Sequence, residues 1–339
     1  NLQTELNDVY KPYEYQHFEA GIETKNSRFI DAIAEGLKQS FDRHDNLVIM
    51  GQDIAEYGGA FKVTEGFVDL FGKEKIRNTP ICESIIVSAA AGLSINKYKA
   101  IVEMQFADFV STGFNPIVNL LAKQHYRWNE HADVVVRMPC GAGSGAGPFH
   151  SQTNEAWFTK TPGLKVVYPA FPVDAKGLLN TAINDPNPVI FFEHKNLYRS
   201  KSQDVPTNYY TIPFGQAALI NEGTDITIIS YGAGVHWAME ILDKNSNISA
   251  DLIDLRTLQP LDYETIQKSV QKTNKVLILQ EDSLFGGIAS DLSAWIMEEC
   301  FEYLDAPVKR VGSIETPIPF MDQLEAQYLP KERFEKDYN

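Results

Sequence analysis

A glutamate at a helix entrance is the clearest candidate for proton chemistry in this sequence. The stretch Asn78-Thr-Pro-Ile-Cys-Glu-Ser84 runs directly into the apolar, small-residue run Ile85-Ile-Val-Ser-Ala-Ala-Ala-Gly-Leu93. A first-turn acid such as Glu83 is favoured by the helix dipole alone, by about 0.3–1 kcal/mol, which is a sufficient structural reason for it. The apolar run adds a chemical one. A carboxyl there faces a buried interior unless it frays outward, and a buried carboxyl is suited to sharing a proton with a ring nitrogen.

Two further segments carry reactive or ligand-facing types. Pro139-Cys-Gly-Ala-Gly-Ser-Gly-Ala-Gly-Pro-Phe-His-Ser-Gln152 reads as a strand end, a glycine-rich loop and a histidine. It looks like a phosphate cradle but lacks both the Lys-Ser/Thr of a P-loop and the strict G-x-G-x-x-G spacing. Its alternating glycines suit a loop passing close to a ligand or a neighbouring chain. His150 would then be delivered beyond a strand's C-terminal end, where open parallel sheets carry their sites, and the other six histidines lack that setting. Glu103-Met-Gln-Phe-Ala-Asp-Phe109 is the third, with aromatics that would be core in most proteins. Neither metal-ligand spacing nor a Ser-His-Asp order is present. From these residues alone the reading stops at a subunit of an α/β enzyme.

The elements that must position these residues follow from periodicity. Phe29, Ile30, Ile33, Ala34 and Leu37 share one helical face, and Leu47-Val-Ile-Met50 reads as a short buried strand. Strands are expected at 101–104, 134–138, 165–168 and 189–192, with helices near 84–95, 114–128 and 174–184. Such alternation predicts a mostly parallel sheet covered on both faces. Residues 203–214 read as a linker. A second α/β unit follows, with strands at 226–230, 250–255, 276–280 and 308–311 and helices at 235–243, 263–271 and 287–300. Domains are thus expected at 27–202 and 215–339, after a polar lead segment 1–26. Processing, trimming or release from a longer fused polypeptide would each account for a start at Asn1. The closing stretch from Tyr328 is charged and weakly patterned.

Composition narrows the class. In 339 residues, 44% hydrophobic content is enough for two cores. A formal net charge of -15 has the wrong sign for holding nucleic acid or anionic lipid, and no apolar run approaches the roughly 20 residues of a membrane helix. Three scattered cysteines (Cys82, Cys140, Cys300) make no disulfide framework, and a reducing compartment is expected.

The segments together resemble the β subunits of branched-chain 2-oxo acid and pyruvate dehydrogenases. The resemblance runs from about Ser27 to Pro330 and includes Gly51-Gln-Asp-Ile, Gly59-Ala-Phe, Asn78 to Glu83, Gln105-Phe-Ala-Asp-Phe109, His150-Ser-Gln152, Pro162-Gly-Leu-Lys-Val-Val167, Asp174 to Leu179 and Asp254-Leu-Arg-Thr-Leu-Gln-Pro-Leu-Asp262. It implies an α/β fold with a pyrimidine-binding domain and a transketolase-type C-terminal domain, and thiamine diphosphate held between this chain and an α partner. By that resemblance Glu83 is the glutamate that bonds the aminopyrimidine N1′ and drives cofactor activation. Ile81, Gln105 and Phe109 match cofactor contacts, although branched-chain members often carry Tyr where Phe109 stands. His150 matches a histidine expected near the thiazolium during acyl transfer.

Some relatives hold a structural K⁺ at positions matching Val134, Val135, Ala182, Asp185 and Asn187; a plain turn explains Asp185 and Asn187 equally well. The Gly-Asp-Gly with a downstream Asn that binds Mg²⁺ and diphosphate in this superfamily is nowhere in the sequence, so those ligands are expected on the α partner, as a separate subunit or a fused α-like half. The implied reaction is oxidative decarboxylation of a 2-oxo acid, leaning to branched-chain substrates, with acyl transfer to a lipoyl acyltransferase. The resemblance places the chain in a bacterial cytoplasm, or alternatively a mitochondrial matrix. Competing readings are a pyruvate or acetoin enzyme subunit and an assembly module; an NAD-binding protein fits poorly without a glycine fingerprint. Acids at Glu281, Asp282, Asp291, Glu298, Glu299 and Glu302 are expected to steer the acyltransferase, against the plainer reading of a solvated face.

Overall fold

The computed structural model describes residues 2–245 and 247–338. Its larger sheet has seven strands in the order Thr257–Gln259, Lys165–Val167, Val189–His194, Val134–Cys140, Lys99–Glu103, Leu47–Gly51 and Ile76–Asn78. All pairs are parallel except the first, where Thr257–Gln259 lies antiparallel against Lys165–Val167. Every residue of Val134–Cys140 is buried, as a parallel strand covered on both faces requires. The helix Phe29–Arg43 packs on one face through Phe29, Ile30, Ile33, Leu37 and Phe41, against Pro172–Asn184, which opens with Pro at its first position.

A second sheet of five strands runs Lys309–Ser313, Val276–Ser283, Ile226–Ser230, Ala250–Asp254 and Ala218–Asn221, with only the last antiparallel. The helix Tyr263–Thr273 is capped by Asp262, whose side chain accepts the Thr265 amide at 3.0 Å.

Three features depart from the sequence expectation. The stretch read as a linker opens inside a strand, Ser202–Pro206, paired antiparallel with Thr24–Arg28 in a ribbon of its own. The helix expected over 114–128 is a π-turn, Pro116–Leu121, continued by the α-helix Ala122–Trp128. The charged closing stretch holds a helix, Lys331–Tyr338, that buries Phe334 and Tyr338.

The hydrophobic interior is shared between the two halves. One cluster runs from Val102, Val136 and Tyr168 through Tyr231 and Ile253 to Ile278 and Ile296. Polar ties reinforce it: Tyr231 Oη donates to Glu155 Oε1 at 2.6 Å, and Arg256 pairs with Asp174 at 2.8 Å. Among the described residues no helix is long and apolar enough to cross a membrane.

Candidate active site

Three adjacent parallel strands bring the first group of side chains together. Gln52 follows Leu47–Gly51, Glu83 opens the helix Glu83–Ile95 after Ile76–Asn78, and Thr112 lies in the 3-10 turn Ala107–Gly113 after Lys99–Glu103. All three therefore stand at the C-terminal edge of the sheet. Glu83 is 8% exposed; its Oε1 accepts from Gln52 Nε2 at 3.1 Å and its Oε2 from Thr112 Oγ1 at 2.7 Å. The Thr112 hydroxyl is also 3.0 Å from the Phe109 carbonyl, so its one hydrogen serves either acceptor. Gly113 permits this approach, since a Cβ there would lie 3.3 Å from the Glu83 carbonyl oxygen.

Aromatic contacts carry the site from Phe109 to His150. Their rings meet edge to face with centroids 5.5 Å apart, and Phe106 meets the His150 ring in the same manner at 4.7 Å. Among the described residues the ring nitrogens of His150 have no hydrogen-bond partner, so they remain available to a ligand. Ile81 is 83% exposed and Ile85 65% exposed on the rim beside Glu83. Gln105 is half-buried and reaches Asp53 at 3.5 Å, one strand away from the Glu83 carboxyl. The structure thus brings Glu83, Phe109 and His150 into one run of contacts, with Ile81 at its edge and Gln105 turned to Asp53.

Beneath lies a buried charge network that sequence reading missed. The Arg137 guanidinium is bidentate to Glu193 at 2.7 and 2.8 Å and reaches Glu103 at 2.7 Å; Tyr198 Oη donates to Glu193 at 2.6 Å. Burial opposes the Arg137 charge, but Glu193 and Glu103 outweigh it and hold its pKa above the ordinary value. Burial pushes Glu103 upward, with Arg137 opposing. An arginine inside the run Val134-Val-Val-Arg-Met138 was the available signal, because such a charge must find partners.

The glycine-rich loop does not cradle an anion from outside. Gly141, Gly143, Gly145 and Gly147 all have positive φ, from 66° to 95°. Their turns aim main-chain amides at the chain's own acids: Ala142 donates to Glu281 at 2.6 Å, and Gly143 and Gly145 donate to the two oxygens of Glu325, each at 2.8 Å. Glu281 also holds His194 Nε2 at 2.6 Å. His194 is therefore a second histidine at a strand's C-terminal end, contrary to the sequence expectation that His150 alone has that setting. It is fully buried and structurally committed.

The five positions matched to K⁺ lie close in the fold, with their side-chain oxygens already engaged. Asp185 pairs with the Lys165 ammonium through Oδ2 and accepts both nitrogens of Asn187 through Oδ1 at 2.9 Å. The Asn187 Oδ1 takes the Lys11 amide at 2.7 Å. Val134, Val135 and Ala182 have only main-chain carbonyls to offer, so a cation here would rest on main-chain oxygens.

Residues 26–201 match the family model of the transketolase pyrimidine-binding domain, and residues 215–333 match the transketolase C-terminal domain. The chain is 41% identical to the 2-oxoisovalerate dehydrogenase subunit beta of Bacillus subtilis, over 89% of this chain and 94% of that one. It is 42% identical to the mitochondrial 2-oxoisovalerate dehydrogenase subunit beta of Dictyostelium discoideum, over 94% and 88%. It is 40% identical to the pyruvate dehydrogenase E1 component subunit beta of Rickettsia felis, over 89% and 94%. A solved split-gene transketolase, described as an inactive beta4 tetramer, shares the fold with a TM-score of 0.73 at 21% identity, over 91% of this chain and 95% of that one. With both domain matches in chain order and this identity over most of its length, the chain belongs to the family of β subunits of 2-oxo acid dehydrogenases.

Proposed function

We propose that this chain is the β half of a thiamine-diphosphate-dependent 2-oxo acid dehydrogenase, completed by an α partner, that acts on a branched-chain 2-oxo acid such as 2-oxoisovalerate. The observation that carries the reading is Glu83, buried at the sheet's C-terminal edge with two oriented donors and flanked by an exposed apolar rim. When bound between the two halves, the cofactor supplies the electron sink for decarboxylation.

The chain's own residues prepare that chemistry. Gln52 holds Oε1 of Glu83, and the Thr112 hydroxyl, shared with the Phe109 carbonyl, reaches Oε2, so the carboxyl would be oriented to exchange a proton at a pyrimidine nitrogen. Phe109 supplies an aromatic wall, and Ile81 with Gln105 would border the ring. His150, with its ring nitrogens uncommitted, would donate or accept a proton during transfer of the acyl group to a lipoyl arm. Mg²⁺ and the diphosphate would be held by the α partner, and K⁺, where bound, would rest on main-chain carbonyls around Val134, Val135, Ala182, Asp185 and Asn187. The rim formed by Ile81 and Ile85 would be covered in the assembly, removing apolar surface from water.

The test measures 2-oxo acid decarboxylation and cofactor C2 proton exchange for the chain alone, for its assembly with an α subunit, and for the Glu83→Gln assembly. Activity is expected only in the assembly. The Gln variant should lose about 10²- to 10⁴-fold in both measurements, the usual size of a general acid–base contribution. Turnover by the isolated chain would refute the half-site reading, and unchanged C2 exchange in the variant would remove Glu83 from its role. Running the assay with 2-oxoisovalerate, pyruvate and acetoin separates the substrate alternatives, since relatives include both 2-oxoisovalerate and pyruvate enzymes.

A further inference from the structure

Asp108 fastens the two arms of the site to each other. It sits in the 3-10 turn Ala107–Gly113, next to Phe109 and on the same turn as Thr112. Only 7% exposed, it accepts the Gln152 amide through Oδ1 at 3.2 Å, two residues beyond His150. Its Oδ2 is buried and, among the described residues, without a hydrogen-bond partner. A second tie lies alongside: Asn154 Nδ2 donates to the Ala107 carbonyl at 2.9 Å. Lys195, 9% exposed, commits its ammonium to the Gly141 carbonyl at the neck of the same loop and lies 5.9 Å from the Phe106 centroid. Burial lowers the Lys195 pKa, and nearby acids including Asp108 oppose that shift.

Among the described residues the His150 ring has no hydrogen bond and meets Phe106 and Phe109 edge to face. Such contacts are worth about 0.5–1.5 kcal/mol each, which leaves the ring free to shift unless its main chain is fixed. A misplacement of about 1 Å can cost about 10²-fold in rate. On the far side of His150, the loop is fixed by the Glu281 and Glu325 contacts with residues 142–145. On the near side Asp108 fixes it through the Gln152 amide, alongside Gln152 Nε2 donating to the Pro148 carbonyl at 2.9 Å and the Gly141 amide donating to the Gln152 carbonyl at 3.4 Å.

We propose that Asp108 is a positioning residue, which by pinning the Gln152 amide delivers the His150 ring against Phe106 and Phe109 for acyl transfer; the inference rests on the reading of His150 given above. An acceptor is what the Gln152 amide needs, so Asn should replace Asp108 with little loss, whereas Leu, of similar size, removes the acceptor. The role runs through His150, so an enzyme already lacking that ring has nothing further to lose at Asp108.

The experiment uses the assembled enzyme with Asp108→Leu, Asp108→Asn, His150→Ala and Asp108→Leu/His150→Ala. It follows cofactor affinity, decarboxylation coupled to an artificial electron acceptor, acyl transfer to a lipoyl domain, and the thermal midpoint. Asp108→Leu is expected to slow acyl transfer at least about tenfold more than decarboxylation, Asp108→Asn to recover to within about threefold of the parent, and the double variant to match His150→Ala. Equal losses in every step, or losses that multiply in the double variant, would overturn the proposal. If Asp108→Leu does not assemble, Asp108→Glu, which displaces the acceptor by one methylene, is judged by the same two criteria. An unsubstituted assembly that does not decarboxylate would count against the functional reading before any Asp108 variant is compared.

Discussion

Glu83 and Glu155 are both carboxyl groups withdrawn from solvent, and their surroundings set them apart. Glu83 has a donor for each oxygen, whereas Glu155 has the Tyr231 hydroxyl on Oε1 and no partner for Oε2 among the described residues. Burial, and then the Asp282 carboxylate, push Glu155 up to about 8 from an ordinary 4.5. The folded chain therefore keeps a proton that the unfolded chain releases between those values. Stability from this group is fully present below pH 4.5 and is lost as pH rises through about 8. Glu155→Gln should flatten that dependence: denaturant unfolding at pH 5 and pH 8 should show the parent losing more stability over that range than the variant does. An equal loss in both would show that Glu155 does not titrate in this window. The two classes of acid are unequally legible in sequence. Glu83 is exposed to view by the apolar run that follows it, but its partners Gln52 and Thr112 stand 31 and 29 residues away, a pairing set by strand order rather than by any local pattern. Asp108 is hidden for the same reason, since its partner amide lies 44 residues on.

At the scale of elements, the central strands were readable because a parallel strand buried on both faces is largely an apolar run, as Leu47–Gly51 and the first four residues of Val189–His194 show. Elements stabilised by distant partners were not. Thr257–Gln259 is short and joins the sheet of the other half, and Ser202–Pro206 is a mixed-polarity edge paired across the chain with Thr24–Arg28. Lys331–Tyr338 buries only two side chains, too few for a periodic signal. The glycine spacing was legible as a loop needing close approach, but the object approached turned out to be Glu325 on the helix Asp322–Tyr328. Glu325→Ala strips the acceptor from two amides, and unsatisfied buried groups cost about 1–3 kcal/mol each. The variant should unfold at lower denaturant with a loss on the order of 2 kcal/mol, the low side of that sum because water can re-enter the half-buried loop. A midpoint unchanged by the substitution would mean the loop holds its shape without the clasp.

For the whole molecule, the formal charge of -15 is less available at the surface than the sequence suggests. Of the six acids expected to form a steering face, Glu281 is buried against His194 and Ala142, and burial raises Asp282 to about 6. That leaves Asp291, Glu298, Glu299 and Glu302 exposed. If these four attract a basic domain of the acyltransferase, association should weaken between 50 and 500 mM salt, since exposed charges are screened over about 10 Å at 0.1 M. A binding constant independent of salt would leave the acids as a solvated face. The two halves themselves do not depend on such forces. A single hydrophobic cluster passes through both, and the connecting stretch is itself anchored, with Tyr210 donating to the Val173 carbonyl at 2.6 Å and Asn180 holding the Tyr210 carbonyl at 2.8 Å. In the assembly proposed above, the side bordered by the exposed Ile81 and Ile85 would be closed by whatever partner comes to rest there.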